Sequence, residues 1–230
     1  MIISSVSNSK VKQVIRWRDK AKERKNEGVY LAEGLKMFEE APVQDLVEVF
    51  VSEDALEKIG QQEYEHVRKK LDSTSYITVS GEVMAKMADT MAPQGILTVL
   101  RQKKYREEEI LSAPCPLIMI LEDLQDPGNL GTILRTGEGA GVTGVVMSAR
   151  TVDIYNPKTI RATMGSVYRV PFLYVENICD FAGKIADCGI HSYAAHLLGT
   201  ENYDRQNYRE PTAFFIGNEG NGLSKEFAHK

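Results

Sequence analysis

The longest apolar run in this sequence is CPLIMIL, residues 115–121, and it constrains the fold more than any other stretch. A membrane helix needs about 20 such residues, so the run reads as a strand. It lacks the alternation of a strand with one face in water, which predicts a strand covered on both faces in a parallel sheet. The sequence after it keeps an α/β rhythm. A helix is expected over 129–137, a strand over 144–148, and a helix opened by Asn156 and Pro157 that runs to about 165. Then come a strand over 170–175, a helix over 178–188, a strand over 190–195, and a strand over 213–216 that runs straight into GNEGNG.

The first hundred residues alternate in the same way on a smaller scale. A helix over 7–26, with Val11, Val14, Ile15 and Trp17 on its apolar stripe, precedes strands over 29–34, 46–52, 76–79 and 95–100. Helices over 35–40, 63–71 and 83–89 lie between the strands. The stretch RQKKYREEEILSAP, dense in charge and closed by Pro114, has no buried period and reads as a linker. The expected fold class is therefore α/β in two parts: a small α/β domain over 1–105, a linker over 106–115, and a parallel-sheet domain over 116–230.

Composition narrows the function classes. The start MIISSVSNSK has no apolar signal core. The three cysteines are odd in number and show neither CxxC spacing nor a neighbouring histidine pair. A soluble, cytoplasmic protein with reduced thiols and no zinc site is expected. The net charge of -4 conceals an uneven distribution: residues 1–25 hold eight Lys/Arg against two acidic residues, residues 1–106 sum to +2, and residues 107–230 sum to -6. Lys10, Lys12, Arg16, Arg18, Lys20 and Arg24 fill the polar side of the first helix. With Lys103, Lys104 and Arg106 they are candidates to track phosphates, although a solvated basic face has the same composition.

Three motifs carry possible chemistry. GAGVTG, residues 139–144, fits the G-x-G-x-x-G dinucleotide fingerprint by letter, but it follows a helix and precedes a strand, the reverse of the order a pyrophosphate cradle needs. A helix-stop turn fits better. LEDLQDPGNLGTILRT, residues 121–136, ends a buried strand in polar residues and opens a helix; Asn129 and Arg135 sit on that helix, with an N-cap and a surface ion pair as their structural alternatives. AFFIGNEGNGLS, residues 213–224, places Gly217, Gly220 and Gly222 after a buried strand, with Glu219 among them. That much glycine allows backbone to approach a ligand, and a two-turn loop is the plainer reading. His191 and His196 have no catalytic partner identifiable from spacing.

NLGTILRT and FFIGNEGNGLS together resemble the first two motifs of the SpoU (TrmH-type) RNA ribose 2'-O-methyltransferases of the SPOUT superfamily. NPKTIRATMGSVYRVPF resembles that family's middle segment, and the basic first helix, VYLAEG and APQGILTVL resemble its substrate-binding extension. The resemblance covers nearly the whole chain. It implies a parallel sheet with a deep trefoil knot, S-adenosyl-L-methionine as cofactor, no metal, a homodimer, and ribosomal or transfer RNA as substrate. By the family pattern Asn129, Arg135 and Glu219 lie at the reaction centre, and Gly217, Asn218, Gly220 and Leu197 contact the cofactor.

Arg135 is implied as activator of the ribose hydroxyl. A guanidinium pKa above 12 makes it a poor base, so two roles stay open: a base after deprotonation, or a cation that orients the hydroxyl. The family pattern continues past GNEGNGLSKEFAHK with a third motif, whereas this sequence ends at Lys230. A catalytic domain shortened there would have an incomplete knot, weak cofactor binding, impaired dimerisation and little activity. A non-catalytic RNA-binding protein of the same fold is the alternative, and a nicotinamide-dependent oxidoreductase is a third reading, resting on GAGVTG alone.

Overall fold

The computed structural model describes residues 2–197, 199 and 201–224. The chain divides into two compact units that do not follow chain order: Met1–Lys103 with Asp153–Tyr168, and Lys104–Val152 with Arg169–Lys230.

The first unit begins with α1 (Ser9–Asp19) and α2 (Ala21–Glu27), followed by β1 (Val29–Glu33), α3 (Leu35–Glu40), β2 (Leu46–Ser52), α4 (Glu53–Ile59), α5 (Glu65–Asp72), β3 (Ile77–Val79), α6 (Gly81–Met87) and β4 (Ile96–Arg101). Its sheet has the order β1-β4-β2-β3, with only β2 and β3 parallel. Successive strand residues point to opposite faces. Phe50 therefore packs with Val11, Val14 and Trp17 of α1 and with Val83, Met84 and Met87 of α6. Val49 and Val51 pack instead with Phe38, Ile59, Val67 and Leu71 from α3, α4 and α5. The result is three layers, helix on sheet on helix.

Two sequence expectations are corrected in this unit. The helix expected over 7–26 breaks at Lys20, whose backbone is extended (φ -125°, ψ 109°). The break is made by tertiary contact: the Arg24 guanidinium folds back from α2 and donates to the carbonyls of Trp17 (2.7 Å) and Arg18 (3.0 Å) at the end of α1. The α4 helix was not expected. Ser52 caps it by accepting from the Ala55 amide, and Ala55 and Ile59 bury its inner face.

The second unit holds α7 (Glu107–Leu111), β5 (Leu117–Leu121), α8 (Pro127–Gly139) and β6 (Gly144–Ser148). After an excursion through α9 (Pro157–Thr163), which belongs to the first unit, come β7 (Phe172–Val175), α10 (Ile178–Asp187), β8 (His191–Ala194) and β9 (Thr212–Ile216). All five strands are parallel, in the order β7-β6-β5-β9-β8. The stretch expected to be an unstructured linker contains α7, and Ile110 of α7 is fully buried among Ile118, Phe181 and Phe215. One apolar side chain in a charged run is enough to dock it. The trefoil knot concerns how the chain threads after Ser224, and residues 225–230 lie outside the described residues.

The segment Asp153–Tyr168 packs on the first unit. Its Asp153 carboxylate pairs with Arg24 (2.5 Å), Tyr155 stacks on Tyr30 of β1 (centroids 4.6 Å apart), and the Tyr168 hydroxyl donates to the Met37 carbonyl (3.0 Å). Among the described residues no helix is long and apolar enough to cross a membrane.

Candidate active site at the ends of two adjacent strands

In an open parallel sheet, the crevice forms where strand order reverses, beyond the carboxyl ends of the strands. Here that point lies between β5 and β9, which run side by side with Leu121 opposite Ile216. LEDLQD leaves β5 at this edge and GNEGNG leaves β9. Both glycine-bearing junctions singled out in the sequence therefore meet.

The first junction resolves the ambiguity over Asn129. The helix starts at Pro127, and the N-cap is Asp126, whose carboxylate accepts from the Asn129 backbone amide at 2.8 Å. The Asn129 side chain is thereby released from capping, and its amide donates to Glu219 Oε1 at 3.3 Å. Glu219 also accepts from the backbone amides of Gln125 (3.2 Å) and Asp126 (3.1 Å), so it bridges the two loops. Desolvation acts to raise the Glu219 carboxyl. Backbone hydrogen bonds from Glu219, Asp126 and Gln125, with the Asn129 amide, outweigh it and hold the group below the ordinary carboxylate range.

The second junction is a closed loop. Asn218 and Gly222 exchange backbone hydrogen bonds (3.0 and 2.9 Å), and Asn218 Oδ1 accepts from the amides of Gly220 and Asn221. Gly217 is required by sterics: a Cβ there would lie 2.0 Å from the Gly222 carbonyl carbon. The amides of Gly220, Asn221 and Gly222 are thus spent within the loop. Gly220, implied by the resemblance as a cofactor contact, has its amide bonded to Asn218 Oδ1 and does not offer it as a free donor. Leu197 lies beyond the carboxyl end of β8 with its side chain fully exposed (101%).

Arg135 is exposed on α8 and has no side-chain hydrogen bond or ion pair among the described residues. It is six residues from Asn129, about 9 Å along the helix axis and roughly 120° around it. The structure therefore joins Asn129 to Glu219 and leaves Arg135 apart. Residues that the sequence reading missed are Gln125, Asp126 and Asp123. The polar phrase EDLQD directly after an apolar strand was the available signal.

GAGVTG is a helix-to-strand turn: α8 ends at Gly139, Gly141 has φ +82°, and Gly144 opens β6. No helix N-terminus follows the glycines, so the dinucleotide reading fails on geometry. His191 is exposed and pairs with Glu210 at 3.0 Å. Among the described residues no group of three or more His, Cys, Asp or Glu is arranged to hold a metal.

The basic N-terminal residues separate into two kinds. Lys12, Arg16 and Lys20 are exposed and unpaired among the described residues, and Lys10 is paired with Glu48. Arg18 and Arg24 are corrected to structural roles. Arg18 pairs with Asp19 and donates to the carbonyls of Lys86 and Ala88 at the end of α6. Arg24 is only 3% exposed and cannot reach a phosphate. Lys103 is likewise engaged, donating to the Tyr168 carbonyl, and Arg106 pairs with Glu109.

A five-stranded parallel sheet whose order reverses under two polar loops defines an α/β protein with a small-ligand crevice at that edge. Comparison with known proteins places it further. Residues 116–230 match the SpoU rRNA Methylase family and residues 8–98 match an MRM3-like substrate binding domain. The chain is 33% identical over 227 residues to an uncharacterized tRNA/rRNA methyltransferase of Synechocystis, covering 96% of this chain and 80% of the relative. It is 28% identical over 229 residues to the 23S rRNA (guanosine(2553)-2'-O)-methyltransferase of Bacillus subtilis, covering 99% of this chain and 86% of that one. An AdoMet-bound rRNA methyltransferase from Sinorhizobium meliloti superposes with a TM-score of 0.83 at 27% identity, covering all of this chain and 85% of that one. The chain belongs to the SpoU rRNA methylase family.

Proposed function

We propose that this protein transfers a methyl group from S-adenosyl-L-methionine to a ribose 2'-hydroxyl of ribosomal or transfer RNA, working as a cytoplasmic homodimer without a metal. The observation that carries the reading is the meeting of the two motifs over the sheet's switch point, where Glu219 of the second holds Asn129 of the first. The comparisons support it through relatives that methylate ribosomal RNA.

The donor set fits the cofactor. A sulfonium and an ammonium are cations, and the crevice presents the Glu122 carboxylate beside Gln125 and Asn218, the charge of Asp123 being met there by Arg150. When bound, S-adenosylmethionine supplies an electrophilic methyl with a neutral thioether as leaving group. The protein's task is alignment of the ribose oxygen in line with that methyl, and removal of one proton. Glu219 stays ionised and fixes Asn129, whose amide and carbonyl are placed to orient a hydroxyl. Arg135 is unpaired among the described residues and lies about 120° around α8 from Asn129. This supports a dimer in which Arg135 of a second copy completes the site, as base or as orienting cation. Lys12, Arg16 and Lys20 supply phosphate contacts that position RNA without reading its sequence.

Calorimetry with S-adenosylmethionine followed by single-turnover methylation of ribosomal and transfer RNA tests the reading. Binding and transfer are expected, with transfer reduced by Arg135→Lys. Cofactor and RNA binding without transfer would favour the non-catalytic RNA-binding alternative.

A further inference from the structure

Asp123 is a non-glycine residue in the left-handed region (φ +57°) at the first turn after β5. Such conformations persist where the surroundings over-determine them, and they concentrate at functional sites. Here the surroundings are specific. The Asp123 amide donates to Ser148 Oγ at 2.8 Å, and that hydroxyl donates to the Asp123 carboxylate at 2.8 Å. The carboxylate also pairs with Arg150 at 2.5 Å. Ser148 itself is buried at the end of β6 and shares a hydrogen bond with Thr151. Thus β6 holds the turn that leaves β5.

The purpose of the turn is seen in its carbonyl. Rotated by the left-handed backbone, the Asp123 carbonyl accepts from the Asn218 side-chain amide at 2.8 Å and from Gln125 Nε2 at 3.0 Å. Asn218 is the residue around which GNEGNG closes, because its Oδ1 binds the amides of Gly220 and Asn221. We infer that Asp123 is a positioning residue for the methyl-transfer site: its carboxylate, clamped by Ser148 and Arg150, holds a strained turn whose carbonyl sets the GNEGNG loop against the loop after β5. This rests on the proposed cofactor site at GNEGNG. No contact of Asp123 with cofactor or RNA is required. Asparagine tolerates the left-handed region and keeps an oxygen for Ser148, whereas alanine does neither.

The test compares Asp123→Ala, Asp123→Asn and Ser148→Ala with the unaltered chain by two readouts. The first is hydrogen exchange of the Asn218 and Gly222 amides, which bond across the loop, measured without cofactor. Exchange is expected to speed up at those amides in Asp123→Ala and Ser148→Ala while the amides of β6 and β7 keep their protection, and to stay near the unaltered rate in Asp123→Asn. The second is calorimetric affinity for S-adenosylmethionine, expected about tenfold weaker in Asp123→Ala and Ser148→Ala, as for loss of one good hydrogen bond. Unchanged loop exchange in Asp123→Ala, or equally fast loop exchange in Asp123→Asn, would overturn the inference. If the unaltered chain itself fails to bind S-adenosylmethionine, the cofactor reading falls and the exchange data still decide the role of Asp123.

Discussion

Arg24→Ala gives the sharpest test of how the first unit is held together. The guanidinium is 3% exposed and makes three bonds, to the carbonyls of Trp17 and Arg18 and to Asp153. Hydrogen bonds from a charged donor contribute about 1.5–3 kcal/mol each, and the two carbonyls at the end of α1 lose theirs. The Asp153 side chain is 36% exposed, so it regains water when freed and its share is discounted to under about 1 kcal/mol. The expected loss is about 3 kcal/mol, at the low end of the range for breaking a buried pair. Trp17 is the only tryptophan in the chain and its own carbonyl accepts from Arg24, so its fluorescence during urea unfolding reports this unit directly. Asp153→Asn keeps a hydrogen-bond acceptor but leaves the buried guanidinium without its counter-charge, so a measurable loss smaller than that of Arg24→Ala is expected in the same assay. A loss below about 1 kcal/mol for Arg24→Ala, or one no larger than that of Asp153→Asn, would refute the assignment of Arg24 as a buried staple.

Neutralising Lys12, Arg16 and Lys20 together to glutamine should lower the slope of log affinity for RNA against log salt by about 2, at roughly 0.7 per phosphate contact, in filter binding between low and moderate salt; cofactor affinity should not change. Gly217→Ala places a methyl where the Gly222 backbone now lies, so the loop must open and draw buried Leu223 from the core; loss of calorimetric S-adenosylmethionine binding is expected, with destabilisation above about 2 kcal/mol. Glu219 has a depressed folded-state pKa, so its contribution to stability is fully present above its unfolded value and is lost as pH falls through the folded one. Glu219→Gln should therefore be less stable than the unaltered chain above about pH 4.5, and the two should converge in more acidic solution when unfolding is followed across pH.

The parallel sheet was legible because residues 117–121 carry no alternation, and a strand buried on both faces needs none. The meeting of the two loops was partly legible for a related reason: glycine and asparagine directly after an apolar run mark chain that must turn tightly. What escaped the sequence depends on partners distant along the chain. The break at Lys20 follows from where Arg24 folds back and from Asp153, 129 residues further on. Asn129 looked like an N-cap because asparagine caps well, yet Asp126, three residues earlier, also caps well and has Pro127 beside it. The buried Ile110 was hidden by the charges around it. Nothing in the letters EDLQD announces that Asp123 alone among them takes a left-handed backbone.

The membership of Asp153–Tyr168 in the first unit has a consequence for how the chain is made. A ribosome delivers residues in order, at about 5–20 per second, and the whole of Lys104–Val152 must emerge before Asp153 can reach Arg24. For some seconds the nascent first unit holds Arg24 without its carboxylate. Its edge strand β1 waits without the stacking of Tyr155 on Tyr30, and an edge awaiting its partners invites pairing with another chain. The first unit is thus completed only after part of the second has been made, and a chain cut anywhere between Lys103 and Asp153 would carry its sheet without the segment that packs on it.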